Sequence, residues 1–212
     1  MIDSEDMRTT RSAYDSVAER YAGLVHRQLE ANAYDRAILG LFAEAVRDNG
    51  NGQVIEVGCG PGRVAAHLAE AGLRVSGSDL SPEMIRLARA AYPDLEFEVG
   101  PMEQLAFEDG ALDAIVAWYS IIHTPPERIP TVLTEFGRVV RPGGHVLLGF
   151  QAADDPIGVT EYDHKVAPAY RWAPATLGEL LGGNGFRVMA TMTREAQPDE
   201  RTPHGYLLAV RE

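Results

Sequence analysis

From Gln53 onward, short β-rich segments alternate with amphipathic helical segments, and this alternation limits the possible fold more than any other feature of the chain. The strand candidates are QVIEV, LRVSGSD, LEFEV, LDAIVAW and HVLLGF, with helical spacing between them. Strands separated by helices pair in parallel, because each helix returns the chain to the same edge of the sheet. The C-terminal segments FRVMATMT and GYLLAVRE are close enough to form a hairpin. The sequence therefore predicts an α/β fold with a doubly wound, mostly parallel sheet that ends in a reversed hairpin.

The other segments of the chain predict helices and one long loop. Residues 1–50 contain two amphipathic helical runs, TRSAYDSVAERYAGL and Tyr34 to Val46, before the break at RDNGNG. SPEMIRLARAAY predicts a helix capped by Ser81 with Pro82 at its first position. PERIPTVLTEFGRVV predicts a helix that ends near RPGG, and residues 151–173 predict a long loop. No linker or repeat divides the 212 residues, so we expect one domain.

Charge and cysteine content exclude several classes of function. The 19 basic and 31 acidic residues give a formal net charge of −12, and Lys and Arg form no cluster. Nucleic-acid binding needs such a cluster, so we expect neither nucleic acid nor a membrane as a partner, but a small molecule. No apolar run is long enough to span a bilayer and the charged N-terminus lacks a signal-peptide core, so we expect a cytoplasmic monomer or homodimer. The single cysteine, Cys59, excludes an intrachain disulfide.

A glycine-rich segment, VIEVGCGPGRV, follows the first strand candidate directly. Ligands of open α/β sheets bind beyond the carboxyl ends of the strands, and glycine lets them approach the backbone. The dinucleotide fingerprint G-x-G-x-x-G would need a glycine where this chain has Arg63. Glu56, just ahead of the loop, suits an ammonium or sulfonium charge better than a pyrophosphate. Asp79, about 20 residues after Gly60, can accept hydrogen bonds from both ribose hydroxyls.

These motifs resemble those of the class I S-adenosylmethionine-dependent methyltransferases of the small-molecule type, over about residues 10 to 150. VIEVGCGPGRV is similar to the first motif of that family, VSGSDLSPEMIRLAR to the second, GPMEQLAFEDGALDAIVAWYSIIH to the third and fourth, and RVVRPGGHVLLGF to the fifth. The resemblance implies a Rossmann-like sheet of seven strands and S-adenosylmethionine as cofactor. It divides the expected single domain, residues 1–212, into an N-terminal helical lid (1–50), a cofactor-binding core (51–150), a substrate-side loop (151–173) and a C-terminal helix and hairpin (174–212).

The resemblance also implies roles for individual residues. The cofactor-binding residues would be Tyr21, Glu56, Gly58, Gly60, Asp79, Leu80, Met84, Met102, Glu103, Ala117 and Trp118. The glycines would pass the methionine part, with Glu56 supporting the loop or the ammonium group, and Asp79 would hold the ribose. Leu80 and Met84 would flank the adenine, and Met102 and Glu103 would cover it. The N-terminal segment YDxxAxxYD of many family members reads YDSVAERYAG here, with Ala22 in place of the last aspartate.

Substrate-facing residues are expected in two loops. His123, after the fourth strand, is a candidate general base because an imidazole titrates near neutrality; a structural histidine is the equal alternative. The loop 151–173 is rich in aromatic and basic residues, which favours part of a substrate lid. The substrate-binding residues that we expect are Tyr14, Tyr119, His123, Tyr162, His164 and Tyr170, with no metal site.

Other interpretations stay open for several residues. Asp79 can cap a helix, and Glu103 can be a solvated loop acid. Trp118 and Tyr119 can be core aromatic residues. Cys59 is expected to be a small loop residue rather than a nucleophile, because no base motif accompanies it.

Together the motifs predict a methyltransferase that moves a methyl group by in-line displacement to an oxygen or nitrogen atom of a small metabolite. Alignment of the reactants would supply much of the acceleration, and a base would be needed only for an acceptor that carries a proton. Two alternatives remain. One is a protein of this fold that binds the cofactor without methylating, such as a cyclase or an accessory subunit. The other is an NAD-dependent oxidoreductase, which Arg63 disfavours.

Overall fold

The fold has a helical N-terminal segment followed by alternating strands and helices. The computed structural model describes residues 4–25, 28–50, 52–198 and 200–212. Its helices are α1 (Glu5–Val25), α2 (Gln28–Ala31), α3 (Ala33–Asn49), α4 (Arg63–Glu70), α5 (Pro82–Ala91), α6 (Ile129–Val139) and α7 (Pro174–Gly183). Its strands are β1 (Gln53–Val57), β2 (Arg74–Asp79), β3 (Glu96–Val99), β4 (Leu112–Trp118), β5 (Val140–Gln151), β6 (Val159–Tyr162), β7 (Ala169–Trp172), β8 (Phe186–Arg194) and β9 (His204–Arg211). None of the described helices has the length and apolarity needed to cross a membrane.

Seven strands form the main sheet, in the order β3-β2-β1-β4-β5-β9-β8. Strands β1 to β5 pair in parallel, whereas β9 runs antiparallel to both β5 and β8. The predicted fold class and the reversed C-terminal hairpin are confirmed. The strand order changes direction between β1 and β4, since β1 leads outward to β2 on one side and β4 to β5 on the other. A ligand crevice is expected at the carboxyl ends of these two strands.

Helices cover both faces of this sheet. On one face Ile55 belongs to a buried cluster with Phe136 of α6 and Leu177 of α7. On the other face Val54 belongs to a cluster with Phe42 of α3. Every residue of β4 is buried, because this central strand is covered on both sides. The central strands therefore hold the residues at their carboxyl ends in fixed positions.

Helix α5 begins as the sequence predicts. The Ser81 hydroxyl accepts a hydrogen bond from the Met84 amide at 3.1 Å, and Pro82 is the first helical residue. The same hydroxyl donates to the Asp15 carboxylate of α1 at 2.5 Å. The cap of α5 therefore also attaches α1 to the core.

The helix predicted over PERIPTVLTEFGRVV is shorter in the structure. Pro126–Arg128 form a separate 3₁₀ turn before α6. Val140, predicted to be helical, pairs with Leu112 of β4 as the first residue of β5. The prediction was wrong at both ends; at the second, pairing with a central strand outweighs the weak helix preference of a β-branched residue.

The segment 151–173 is more ordered than the predicted loop. It contains β6 and β7, which form an antiparallel hairpin outside the main sheet. Trp172 at the end of β7 is buried and bridges to Ala152. Their sequences, VTEY and AYRW, do not alternate strictly between apolar and polar residues, so the pattern does not reveal them as strands. Strand β7 lies against the 3₁₀ turn Ile121–His123 after β4.

Gly62 tests how tightly the glycine loop packs into the core. Its φ is 83°, and an added Cβ would lie 2.8 Å from the Phe97 ring and 3.2 Å from the Ala88 Cβ. We expect Gly62→Ala to lower the free energy of unfolding by about 2–4 kcal/mol, because it adds both backbone strain and overpacking. Urea denaturation followed by circular dichroism measures this loss.

Gly182→Ala is the matched control for this substitution. An added Cβ at Gly182, in α7, would meet nothing within 4 Å, and the residue has no positive φ. We expect it to be neutral or to stabilise the protein by up to about 1 kcal/mol, since alanine favours helix. Equal urea midpoints for the two variants would contradict the packing argument.

Candidate active site

A cavity lies at the carboxyl ends of β1, β2 and β4 and is covered by α1. It holds about 770 Å³ of empty space, its open mouth included. The core contributes Gly58, Gly60, Asp79, Leu80, Ser81, Gly100, Met102, Glu103, Trp118, Tyr119, Ser120, His123 and Thr124 to its lining, and α1 contributes Asp6, Met7, Thr10, Arg11, Tyr14 and Tyr21. The structure thus brings together most of the residues that the sequence singles out.

Two glycines of the loop lack a side chain for different reasons. Gly58 has a φ of 67°, and an added Cβ would lie 2.2 Å from the Ser120 Cβ. The Ser120 hydroxyl donates to the Val57 carbonyl at 2.6 Å and ties the end of β4 to the end of β1. Gly60 has a φ of 52°, and the nearest atom to an added Cβ is a Tyr21 ring carbon at 3.9 Å. The protein's own packing therefore requires Gly58, whereas Gly60 leaves space for a ligand.

Asp79 lies on the cavity wall at the end of β2. Its carboxylate accepts hydrogen bonds from the Gly60 amide and the Ser81 amide, each at 2.8 Å. Burial beneath α1 raises the pKa of Asp79 to about 6, although the two amide hydrogen bonds favour the ionised form. One carboxylate oxygen bonds the amide of Ser81, which is itself the cap of α5, and the other bonds the glycine loop. Asp79 therefore holds the residue that caps the helix rather than capping the helix directly.

Glu56 does not line the cavity. It is buried behind the loop, where its carboxylate accepts a hydrogen bond from the Ala65 amide in the first turn of α4 at 2.7 Å. Burial raises the pKa of Glu56 to about 8. Of the two roles that the sequence left open, this geometry favours support of the loop.

Met84 and Ala117 are also buried behind the cavity wall rather than in its lining. Met84 lies in the first turn of α5, and Ala117 is a residue of β4 whose side chain belongs to the buried core. Leu80, Met102 and Trp118 line the cavity as expected. Direct cofactor contacts by Met84 and Ala117 stay predictions that the cavity itself does not support.

Glu103 forms an ion pair that the sequence did not reveal. It is buried and accepts a hydrogen bond from Arg128, so the interpretation as a solvated loop acid is wrong. Burial raises the pKa of Glu103, and the Arg128 guanidinium opposes that shift. Arg128 also donates to Asp6 and, at 2.6 Å, to the Ser4 hydroxyl. One guanidinium therefore joins the cavity wall to the beginning of α1.

His123 lies between α1 and the β6–β7 hairpin. Its Nδ1 is 2.8 Å from the Pro168 carbonyl, and its Nε2 is 2.8 Å from the Tyr14 hydroxyl. A carbonyl can only accept, so Nδ1 carries the proton and the Nε2 lone pair receives the hydrogen bond from Tyr14. Burial lowers the pKa of His123 to about 4. The imidazole is therefore neutral near pH 7, with its basic nitrogen directed at a residue of the cavity.

The two tyrosines of α1 pack edge to face, with ring centroids 5.5 Å apart. Burial raises the pKa of both Tyr14 and Tyr21 above the ordinary value, so both hydroxyls stay protonated. They line the cavity from α1, within the segment 1–50 that was expected to form the lid.

The hairpin residues predicted to bind substrate do not line the cavity. His164 packs edge to face on His123 at 5.0 Å, and Tyr162 lies 6.2 Å beyond His164. Tyr170 packs against the core next to β7. His164 therefore packs on His123 without lining the cavity, and direct contact with a substrate stays a prediction for all three residues.

Sequence reasoning missed part of the lining. The missed residues are Asp6, Met7, Thr10 and Arg11 of α1 and Ser81, Gly100, Ser120 and Thr124 of the core. The α1 residues share one face with Tyr14, and helical periodicity extended backward from Tyr14 would have found them. Ser120 and Thr124 carry no comparable signal.

Cys59 is buried, and burial raises the pKa of its thiol well above the ordinary value. The thiol is therefore not activated as a nucleophile. Across the described residues, no cluster of three or more metal-ligating side chains is present.

Comparison with known proteins decides the family. A family model described as a methyltransferase domain matches residues 54–144. A ubiquinone/menaquinone biosynthesis C-methyltransferase of a Geobacter species is 31% identical over 211 residues, with 89% of this chain and 88% of the relative covered. This chain belongs to the class I S-adenosylmethionine-dependent methyltransferases.

Two further comparisons place this methyltransferase among its relatives. The demethylmenaquinone methyltransferase of Chlorobaculum parvum is 32% identical over 147 residues, which is 68% of this chain but only 60% of the relative's length. The magnesium protoporphyrin IX methyltransferase of Synechocystis, solved with bound S-adenosylmethionine, has a TM-score of 0.75 at 20% identity, with both chains fully covered. The latter comparison supports the fold.

Arg128 tests whether α1 is held through its first turn. We expect Arg128→Gln to accelerate amide hydrogen exchange in residues 5–12 by about tenfold or more, since the ion pairs with Asp6 and Glu103 are lost. Exchange in β4 should not change. Arg187→Gln, which removes an exposed pair with Glu212, is the control. Unchanged exchange in α1 would show that other contacts hold it.

Proposed function

We propose that this methyltransferase moves a methyl group from S-adenosylmethionine to a small metabolite. The observation that carries the proposal is the Asp79 carboxylate, which two backbone amides fix on the cavity wall. A carboxylate oxygen can accept more than one hydrogen bond, so each retains capacity for a ribose hydroxyl. The cytoplasmic location and the small-molecule partner expected from the sequence are part of this proposal.

The described residues fit this cofactor. The open space at the missing Gly60 Cβ admits a ligand beside the backbone, and Leu80 and Met102 offer apolar surface for an adenine. When bound, the cofactor supplies a methyl group that its positive sulfur already activates. The contributions of the protein are then binding, alignment and the exclusion of water by α1.

Cofactor affinity should depend on pH through two carboxyl groups. The pKa of Glu56 is about 8 and that of Asp79 about 6 without ligand. A cationic cofactor favours the ionised forms and so lowers both pKa values on binding. Affinity is therefore full above pH 8 and is lost as the pH falls through 8 and 6. We expect the dissociation constant to rise by about tenfold or more from pH 8.5 to pH 6, with proton release near pH 7, in calorimetry with two buffers.

Variants separate these two groups. Glu56→Gln retains an acceptor for the Ala65 amide but removes the carboxyl group that titrates near pH 8. The pH dependence of cofactor affinity above pH 7 should therefore disappear. Asp79→Asn should weaken cofactor binding by about 10–100-fold, because a charged hydrogen-bond acceptor is lost. The exposed Glu98→Gln is the control. Wild-type affinity in Asp79→Asn would contradict the ribose assignment.

The acceptor side of the cavity would lie at His123 and Tyr14. A proton leaving the acceptor would pass to His123 Nε2, directly or through the Tyr14 hydroxyl that now bonds it. The Pro168 carbonyl holds the imidazole in the tautomer that this step needs. Because both ring nitrogens are bonded within the protein, the general-base role requires that the acceptor displaces the Tyr14 hydroxyl or acts through it.

The aromatic lining of Tyr14, Trp118 and Tyr119 favours a flat aromatic acceptor. The relatives from Chlorobaculum parvum and Geobacter are named for quinones, and the second is named a C-methyltransferase. A quinol offers both a hydroxyl oxygen and a ring carbon that the deprotonated hydroxyl activates, so a base at His123 serves either atom. We retain oxygen or nitrogen as the expected target.

Incubation of the protein with labelled S-adenosylmethionine and either 1,4-naphthoquinol or a metabolite extract tests the acceptor. Mass spectrometry and NMR of the product then assign the methylated atom. Cofactor binding without release of S-adenosylhomocysteine would favour the non-methylating alternative.

We expect His123→Gln to lower kcat by about 10²–10⁴-fold if His123 is the base. The pKa near 4 keeps wild-type His123 unprotonated, so kcat at saturating cofactor should stay constant from pH 6 to 8 and fall only at lower pH. His67→Gln, on α4 away from the cavity, is the control. A loss of kcat within about threefold would refute the base assignment.

A further inference from the structure

A buried polar network extends from the cavity wall to the C-terminal hairpin and α3. The Tyr119 hydroxyl lies 2.5 Å from His204 Nδ1 and 3.0 Å from the Tyr206 hydroxyl. The Tyr206 hydroxyl in turn donates to the Asp35 carboxylate at 2.6 Å. Side chains from the end of β4, from β9 and from α3 therefore meet at one tyrosine of the cavity.

The outer half of the network fixes the direction of these hydrogen bonds. Glu200 accepts two hydrogen bonds from Arg194 and lies 3.5 Å from His204 Nε2. Because Nε2 faces a carboxylate, it carries the imidazole proton, and Nδ1 accepts from the Tyr119 hydroxyl. Arg194 Nε donates to the Tyr206 hydroxyl at 3.2 Å. The Tyr119 hydroxyl thus has a fixed donor role.

The backbone of Tyr119 is strained. Its φ of 55° is the only positive φ of a non-glycine residue in the described part of the chain. Its amide donates to the Gly149 carbonyl at 2.8 Å, and the next residue, Ser120, is tied to β1. Such strain persists where the surroundings fix it from several directions, and it is concentrated at functional sites.

This buried polar network would destabilise the folded protein if its only role were to fill space in the core. Asp35, Arg194 and His204 are each less than 10% exposed, and burial of such groups carries a desolvation penalty that apolar side chains would avoid. None of the three lines the cavity, and all connect to it through Tyr119 or Tyr206. Their shared effect is to hold the Tyr119 ring, which also packs edge to face on Trp118 at 5.5 Å.

We propose that His204, Tyr206 and Asp35 are positioning residues that act through Tyr119, and that the Tyr119 ring held in this way sets the place and selectivity of the methyl acceptor. This inference rests on the proposed function. Asp79 bonds to Gly60 and Ser81 at the far side of the glycine loop, so the ribose end of the cavity is held independently. The network should therefore affect the acceptor and not the cofactor.

Tyr119→Phe and His204→Phe test the proposal. We expect each to raise the KM for 1,4-naphthoquinol by about tenfold, since the ring loses its fixing hydrogen bond. Binding of S-adenosylhomocysteine, by calorimetry, should stay within about twofold of wild type. His204→Asn places an amide oxygen near the Nδ1 position and should restore the KM to within about threefold. Tyr34→Phe, an exposed tyrosine of α3, is the control for loss of a phenol hydroxyl.

The outcomes separate this inference from the proposed function. Unchanged acceptor KM in both variants, or equal losses of acceptor and cofactor binding with a lowered Tm, would overturn the positioning role. If wild type does not methylate the probe, the quinol proposal fails, and binding of the same probe to protein loaded with S-adenosylhomocysteine decides the inference. Weaker binding by Tyr119→Phe than by wild type supports it, and equal binding overturns it.

Discussion

Where the two central strands end, Ser120 presses against Gly58 so closely that a Cβ on the glycine would lie 2.2 Å from the serine Cβ. At this junction the Ser120 hydroxyl donates a hydrogen bond to the Val57 carbonyl. The glycine loop after β1 and the strained Tyr119 after β4 both extend from it. The proposed cofactor side and the proposed acceptor side of the cavity therefore share one rigid base. Their geometry is set by packing between two strands that are buried on both faces.

Helix α1 is attached to this base by buried apolar side chains such as Met7 and Ala18 and by polar contacts at separate points. Asp6 bonds Arg128, Asp15 bonds Ser81, and Tyr14 bonds His123. Breaking such a hydrogen bond costs little net free energy, because water replaces the lost partner. Breaking the apolar contacts that hold the strands has no such compensation. Polar contacts thus contribute to the attachment of α1 over the site, whereas apolar packing sets the geometry of the strands beneath it.

Much of the fold was predictable from the sequence, because strand and helix periodicity and the capping of α5 by Ser81 are local signals. Gly60 and Asp79 were found in the same way, since their positions follow from the ends of two strands. The ion pair of Glu103 with Arg128 and the hydrogen bond of Tyr119 with His204 were not found. These partners come from separate elements, and only the assembled fold brings them together. The roles of the individual site residues remain predictions.

The hydrogen bond from His123 to the Pro168 carbonyl joins the site to the hairpin β6–β7. A short excursion between β5 and α7, outside the main sheet, thereby decides which imidazole nitrogen is basic. Exchange of this hairpin for one of another sequence or length would change the hydrogen bond that sets the His123 tautomer without changing any residue that lines the cavity. The proton position on an imidazole of the cavity is therefore set by a segment that lies outside both the main sheet and the cavity lining.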